Sequence, residues 1–315
     1  MEQKETARLF SESWRLSRAY HGNSLSVHMP GMFVVNGRRG KYRAVSITGT
    51  QCELNCEHCK GSLLKTMAHA CSGDSLYRLG MEAHARGDLG MLVSGGCDST
   101  GRLPWQEFLP AIRRLKQNTN LVITVHAGTV DAGTAAALKE AGTDQALVDV
   151  IGDEETARQV YHLPAGTAGI RGTLEALRAA NLEVVPHIVF GLHYGEEKGE
   201  WQALRMLSDF PLTRYVVVVL TPMKGTPMAG VTPPGPVDVA RFLARARIEL
   251  PGLKAHLGCA RPRGRYRREL DVQAIRAGIN AIAIPCDAAL EEAEAMGLEI
   301  SVTEGCCSLA GFGSP

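Results

Sequence analysis

Apolar positions along the chain fall into two alternating patterns. Short runs in which nearly every residue is apolar or β-branched recur at intervals: YRAVSITG, GMLVSGG, LVITVHAG, QALVDVIG, LEVVPHIVFGL, RYVVVVLTP, LKAHLGC and INAIAIPC. Between them lie longer stretches with apolar residues at i, i+3 and i+4, among them WQEFLPAIRRLK, DAGTAAALKEAG, TLEALRAANL, PVDVARFLARARIEL and DAALEEAEAMGL. The first pattern is that of parallel strands buried on both faces, and the second is that of amphipathic helices. A further helix is expected over about residues 4–20, and a Gly/Asn/Arg-rich turn at 36–40 leads into the first strand. Eight strand–helix units predict an α/β chain that closes as a (β/α)8 TIM-type barrel, with its active site where the strands end. An open doubly wound sheet is the alternative, but no Gly-x-Gly-x-x-Gly follows the first strand. The expected organisation is an N-terminal helix and lead-in over 1–40, the barrel over 41–300 and a cysteine-bearing tail over 301–315.

Composition narrows the class. With 45% hydrophobic residues in 315, a large core can be buried. Thirty-four basic residues against 33 acidic ones, and only 5% aromatics, argue against a nucleic-acid partner. No apolar run approaches the roughly 20 residues that span a bilayer. The opening MEQKETARLFSESW lacks the apolar centre of a signal peptide, so a cytoplasmic protein with no membrane partner is expected. Nine cysteines are many for a reducing compartment, and the number is odd. Metal or cluster ligation explains them better than disulfides do.

Directly after the first strand runs CELNCEHC, which carries Cys52, Cys56 and Cys59. Three thiolates on one short loop can wrap a small iron–sulfur cluster. Chance produces that spacing in fewer than about one chain in a hundred of this cysteine content. A structural zinc site is the rival. Zinc wants four ligands, and His58 is the available fourth, but as the neighbour of Cys59 it is poorly placed to face the same ion.

This Cys-x3-Cys-x2-Cys after strand one of a barrel-like chain resembles the radical S-adenosylmethionine (radical SAM) enzymes. The resemblance implies that Cys52, Cys56 and Cys59 hold a [4Fe–4S] cluster with one open iron, which the amino and carboxylate groups of SAM chelate. In that family an electron from the cluster cleaves SAM to methionine and a 5′-deoxyadenosyl radical, which abstracts hydrogen from substrate. The electron comes from a flavodoxin- or ferredoxin-like donor. His58 matches the aromatic position near the adenine. Ser94-Gly95-Gly96 resembles the turn whose backbone receives the SAM amino group, although any tight turn also uses glycine. Asp149 or Asp153 matches the position that accepts the ribose hydroxyls, with an N-cap as the competing reading of Asp153. Arg171 stands close to the position of a SAM carboxylate partner.

From about residue 40 to 300 the chain resembles biotin synthase most: GLHYGE after strand five and LTPMKGTPM after strand six match turns of that branch. It departs at the second, sulfur-donating cluster. Thr124 and Val185 or Pro186 replace strand cysteines, and His256 stands where an arginine falls, which argues against biotin as product. Cysteines occur elsewhere instead: Cys259 and Cys286 at strand ends, and Cys306 and Cys307 in the tail, with Cys97 as a substitute. Strand ends converge at one barrel face, so Cys259, Cys286, Cys306 and Cys307 are candidate ligands of an auxiliary cluster. Buried free cysteines also serve as ordinary small hydrophobes. A relocated auxiliary cluster resembles the two-protein lipoyl synthases, which implies sulfur insertion into an octanoyl chain on a carrier protein, with a paralogous partner enzyme. The alternatives are a radical SAM rearrangement or carbon–carbon cleavage enzyme, similar to methylornithine synthase or the hydrogenase maturases, and a non-catalytic iron–sulfur scaffold. RPRGRYRRE after strand seven, with Arg261, Arg263, Arg265, Arg267 and Arg268, forms a basic collar suited to an acidic acyl-carrier protein.

Overall fold

The computed structural model describes residues 2–31, 34–35 and 38–309. Helix α1 (Glu2–His21) leads into strand β1 (Ser24–His28). Strand β2 (Tyr42–Ser46) and the short β3 (Ala68–His69) flank the cysteine loop, and α2 (Gly73–Ala85) follows. Strands and helices then alternate: β4 (Gly90–Ser94), α3 (Trp105–Asn118), β5 (Val122–His126), α4 (Ala132–Glu140) and β6 (Gln145–Asp149). The chain continues through α5 (Glu154–Gln159), α6 (Gly166–Ala179), β7 (Glu183–Phe190), α7 (Glu200–Ser208) and β8 (Arg214–Val219). It closes with α8 (Pro236–Glu249), β9 (Lys254–Leu257), α9 (Arg265–Arg276), β10 (Ala281–Ala283), α10 (Asp287–Ala295) and β11 (Glu299–Thr303).

Each of the eight apolar runs forms a strand, and the expected parallel barrel-type sheet is present with helices around it. Sheet order is β11-β1-β10-β9-β8-β7-β6-β5-β4-β2-β3. The lead-in and the C-terminal segment belong to this sheet. Strand β1 inserts between β10 and β11, where Val27 pairs with Ile282 on one side and Val302 on the other. The expected turn at 36–40 falls partly on residues 36 and 37, outside the described ones; Val34–Val35 and Arg38–Arg39 on either side pair antiparallel.

Among the described residues no ladder joins β11 to β2. The gap is bridged by the Lys41 N–H donating to the Glu304 carbonyl at 2.7 Å and by the Lys41–Glu304 ion pair at 2.8 Å. Past Glu304 the tail turns into the bore, where Cys306, Cys307, Ser308 and Leu309 are buried. They pack on Tyr42, Leu147, Val185, Val216 and Ala283 from the inner faces of five strands. Arg214 and Gln145, the first residues of β8 and β6, both donate to the Ser308 carbonyl, at 2.7 and 3.4 Å. The tail therefore enters the bore from the end at which β6 and β8 begin.

A second tie fixes the loops after β9 and β10. Arg261 donates from Nε and Nη2 to Asp271 at 2.7 and 3.0 Å, with both side chains fully buried. It also donates to the Gly258 and Ile284 carbonyls, while Asp271 accepts the Cys286 N–H at 3.0 Å. Arg261 is thus a structural link rather than part of an exposed collar. Asp271→Ala strands a buried guanidinium and is expected to cost about 3–5 kcal/mol, read by chemical denaturation. A loss below about 1 kcal/mol would show that the pair is not needed.

Candidate active site

The cysteine loop is held by its backbone before any cofactor is considered. Asn55 and Lys60 turn it through left-handed conformations, at φ +49° and +46°. The Glu53 N–H donates to the Cys97 carbonyl at 2.7 Å, and the Glu57 N–H to the Val160 carbonyl at 2.9 Å. His162 Nδ1 lies 2.7 Å from the Leu54 carbonyl, and Lys60 bridges the Asn55 carbonyl and Glu57, both at 2.8 Å. So fixed, the donor atoms of Cys56, His58 and Cys59 all lie within 4.8 Å of one another. His58 and Cys59 do face one point, contrary to the expectation from their adjacency. The Cys59 thiol is pushed down by the Cys56 thiol and then by His58, while Cys59 and burial push Cys56 up. Cys52 and Cys97 lie close enough to add to the rise at Cys56.

Opposite the loop stands the glycine turn that ends β4. A Cβ on Gly96 would sit 1.9 Å from the Gln51 carbonyl and 2.5 Å from the Cys52 Cβ, so only glycine lets the two loops approach. The Gly96 N–H donates to Thr48 Oγ1 at 2.6 Å. A cavity of about 220 Å³ opens between them, lined by the three loop cysteines, Ser94–Gly96, Cys97, His126 and Asp149.

Asp149 ends β6 at this cavity and accepts from the Tyr161 hydroxyl at 2.8 Å. Tyr161 in turn stacks on His58, with ring centroids 4.9 Å apart. His126 lies 5.8 Å from His187, whose pKa is pushed down to about 4 by burial and the His126 charge. Tyr161 and His187 were not singled out from sequence. Both sit in unremarkable local patterns and reach the site only through the fold.

The other expected residues separate. Asp153 caps α5, accepting from the Thr156 N–H at 2.8 Å and its hydroxyl at 2.6 Å, so the N-cap reading holds. Helix α6 begins at Gly166, well before the apolar stretch at 173, and this turns Arg171 outward onto Asp209 at 2.7 Å. It does not line the cavity.

Of the four candidate auxiliary ligands, three come together. Cys306 pushes up both the Cys307 and the Cys259 thiols, burial being the first cause for Cys259 and the Cys306 hydrogen bond for Cys307. Cys259 packs against the cluster that holds the tail. Cys286 does not join them. It sits at the N-cap of α10, with its Sγ 4.0 Å from the Arg268 carbonyl. In the collar, Arg263, Arg265 and Arg268 are exposed, whereas Arg267 folds back to donate to the Cys259 and Arg261 carbonyls at 3.2 Å.

Three thiols on one rigid loop, a glycine cradle that a Cβ would fill and a carboxylate held by Tyr161 fit an iron–sulfur cluster with SAM beside it. Zinc fits less well: the tight group offers three donors, and the cavity next to it is larger than a closed structural site needs.

No family model matches the chain. Among curated proteins it is similar to the biotin synthase of Pelotomaculum thermopropionicum, at 26% identity over 284 residues covering 88% of this chain and 82% of that one. Its fold is similar to that of methylornithine synthase, with a TM-score of 0.65 at 15% identity over 96% of this chain and 90% of that one. It is also similar to HydG, a maturase of the [FeFe]-hydrogenase, with a TM-score of 0.68 at 14% identity over 96% and 69% of the two chains. With the cysteine loop and the glycine turn facing one cavity, the chain is similar in sequence to biotin synthases and in fold to radical SAM enzymes.

Proposed function

We propose that the chain inserts sulfur into an octanoyl chain carried by a protein, as a lipoyl synthase-type radical SAM enzyme. The observation that carries this reading is the gathering of Cys259, Cys306 and Cys307 at the barrel bore, from segments far apart in sequence. These thiols would hold a second cluster as the sulfur source, and Cys52, Cys56 and Cys59 would hold the first. When bound, the first cluster and SAM supply a carbon-centred radical from a low-potential electron, which radical SAM enzymes take from a flavodoxin or ferredoxin. The chain's own residues do the rest. The Ser94–Gly96 turn offers backbone groups to the amino acid end of SAM, Asp149 is positioned by Tyr161 to accept hydroxyls, and His58 stacks on Tyr161 at the same wall. Leu147 lines the cavity and belongs to the apolar cluster that holds the tail, so the two cysteine groups share a wall.

The test is anaerobic reconstitution followed by incubation with SAM, reductant and an octanoyl-carrier protein, with the paralogous partner enzyme added where needed. Sulfur gained by the carrier and sulfide lost from the protein support the reading. Formation of 5′-deoxyadenosine with the second cluster's sulfide fully retained would instead identify a rearrangement or cleavage enzyme.

The exposed part of the collar is our candidate docking site for the carrier. Arg263, Arg265 and Arg268 follow Cys259 at the strand end, and an acidic carrier would be steered there by their field. Arg263→Glu with Arg265→Glu is expected to lower carrier-dependent turnover roughly ten-fold at low salt and less at high salt. Carrier-free SAM cleavage should not change. Equal kinetics on the carrier substrate at every salt concentration would remove the docking role.

A further inference from the structure

The bore around the tail contains buried polar atoms without partners, one of them an imidazole nitrogen. His28 and His256 are both fully buried, and their rings stack with centroids 6.3 Å apart. His28 meets the Cys306 backbone, whereas His256 Nε2 has no hydrogen-bond partner. Gln145 Oε1, beside the tail contact, is also unpaired. Buried polar atoms are nearly always satisfied, so such a group in one place calls for a missing ligand.

That nitrogen is prepared for the role. His256 Nδ1 lies 2.9 Å from the Cys307 carbonyl oxygen. A carbonyl only accepts, so the proton is on Nδ1, and in the neutral ring Nε2 keeps its lone pair. An imidazole whose second nitrogen is fixed by a backbone carbonyl is the usual form of a metal-ligating histidine. The carbonyl that fixes it belongs to Cys307, whose thiol is one of the three gathered here. Tail insertion therefore places the thiols and orients the imidazole in one step.

Thiolates with imidazole select zinc or iron–sulfur clusters. Among the described residues only Cys56, His58 and Cys59 bring three donors within 4.8 Å of one another. In the bore no three donors come that close, which suits a polynuclear cluster better than one tetrahedral ion.

We infer that His256 ligates, through Nε2, an iron–sulfur cluster in the barrel bore whose other protein ligands come from Cys259, Cys306 and Cys307. This rests on the reading of those cysteines as a second-cluster site and adds a nitrogen ligand that the cysteine pattern does not give.

The experiment uses the full chain carrying Cys52→Ala, Cys56→Ala and Cys59→Ala, reconstituted with iron and sulfide and reduced without SAM. Any remaining cluster is then the one in the bore, and neither SAM nor the first loop can supply nitrogen. Pulsed EPR is expected to show strong imidazole nitrogen coupling, lost in His256→Asn and in His256→Cys. The cysteine variant should retain its iron at a lower midpoint potential, because replacing imidazole by thiolate adds negative charge to the cluster. A bore cluster without nitrogen coupling, or with coupling unchanged in both His256 variants, overturns the assignment of His256 alone. No iron at all in the triple alanine background, with all of the wild-type iron accounted for by the first loop, overturns the second-cluster reading and this inference together.

Discussion

Replacing Cys52, Cys56 and Cys59 together by alanine is expected to leave a folded barrel that forms no 5′-deoxyadenosine above the uncatalysed level. Both halves of that expectation follow from how the loop is held. Its shape depends on the Glu53–Cys97, Glu57–Val160 and His162–Leu54 contacts and on Lys60, none of which uses a thiol. Of the three cysteines only Cys56 is buried, so removing the sulfurs costs on the order of 1–2 kcal/mol. The activity, by contrast, has no substitute ligands. Among the described residues the other thiol lining the cavity is Cys97, and one remaining thiol cannot hold a cluster that needs three. Cys71→Ala, which removes an exposed thiol outside the cavity, is the control and should behave as wild type. SAM cleavage surviving in the triple variant would mean that the loop is not the cluster site.

How much of this was legible beforehand depended on burial. Strands such as RYVVVV are covered on both faces, so their sequence is apolar almost throughout and reads directly. SLSVH and EISVT escaped because they close the sheet at its margin, where β11 stays largely exposed and its residues need not be apolar. Helix α9 was hidden for a related reason. Its first turn, RYRR, reads as a charged loop, although Leu270, Ala274 and Ile275 bury one face. Arg171 shows how an error in one boundary moves a side chain. Starting α6 at Gly166 rather than 173 puts Arg171 on an outward face, where Asp209 takes it.

The site divides in the same way. Cys52, Cys56, Cys59 and the Gly95–Gly96 turn are local motifs, and short spacing is visible in a single chain. Tyr161, His187 and His28 carry no local signature. Each is an isolated polar residue in an ordinary stretch, and only the crossing of strands and loops brings it to the cavity or the bore. The collar misled in part because composition cannot tell an arginine that is buried against Asp271 from one that faces water.

The second large effect is expected from Gly96→Ala, and it tests the approach of the two loops without touching a ligand. The new methyl would meet backbone, 1.9 Å from the Gln51 carbonyl oxygen and 2.7 Å from the Cys52 Cα, so no side-chain rotation relieves it. Either the cysteine loop or the end of β4 must move by more than an ångström. Overpacking of that kind typically costs about 1–3 kcal/mol, which the barrel can absorb. Displacement of a reacting group by about 1 Å commonly costs 10²-fold in rate, which the chemistry cannot absorb. Loss of the turn's fixed position should also weaken SAM binding, since Gly96 N–H is held by Thr48 at the wall of the cavity. At Gly95 a Cβ would meet only side chains, 3.1 Å from Ile47 Cγ1 and 3.2 Å from Leu103 Cδ2, so Gly95→Ala should be the milder change. The measurement is iron retained per chain and the rate of reductive SAM cleavage in both variants, with thermal melting to confirm folding. A Gly96→Ala protein that keeps its iron and cleaves SAM at the wild-type rate would show that the close approach of the loops is not what positions the cluster and SAM.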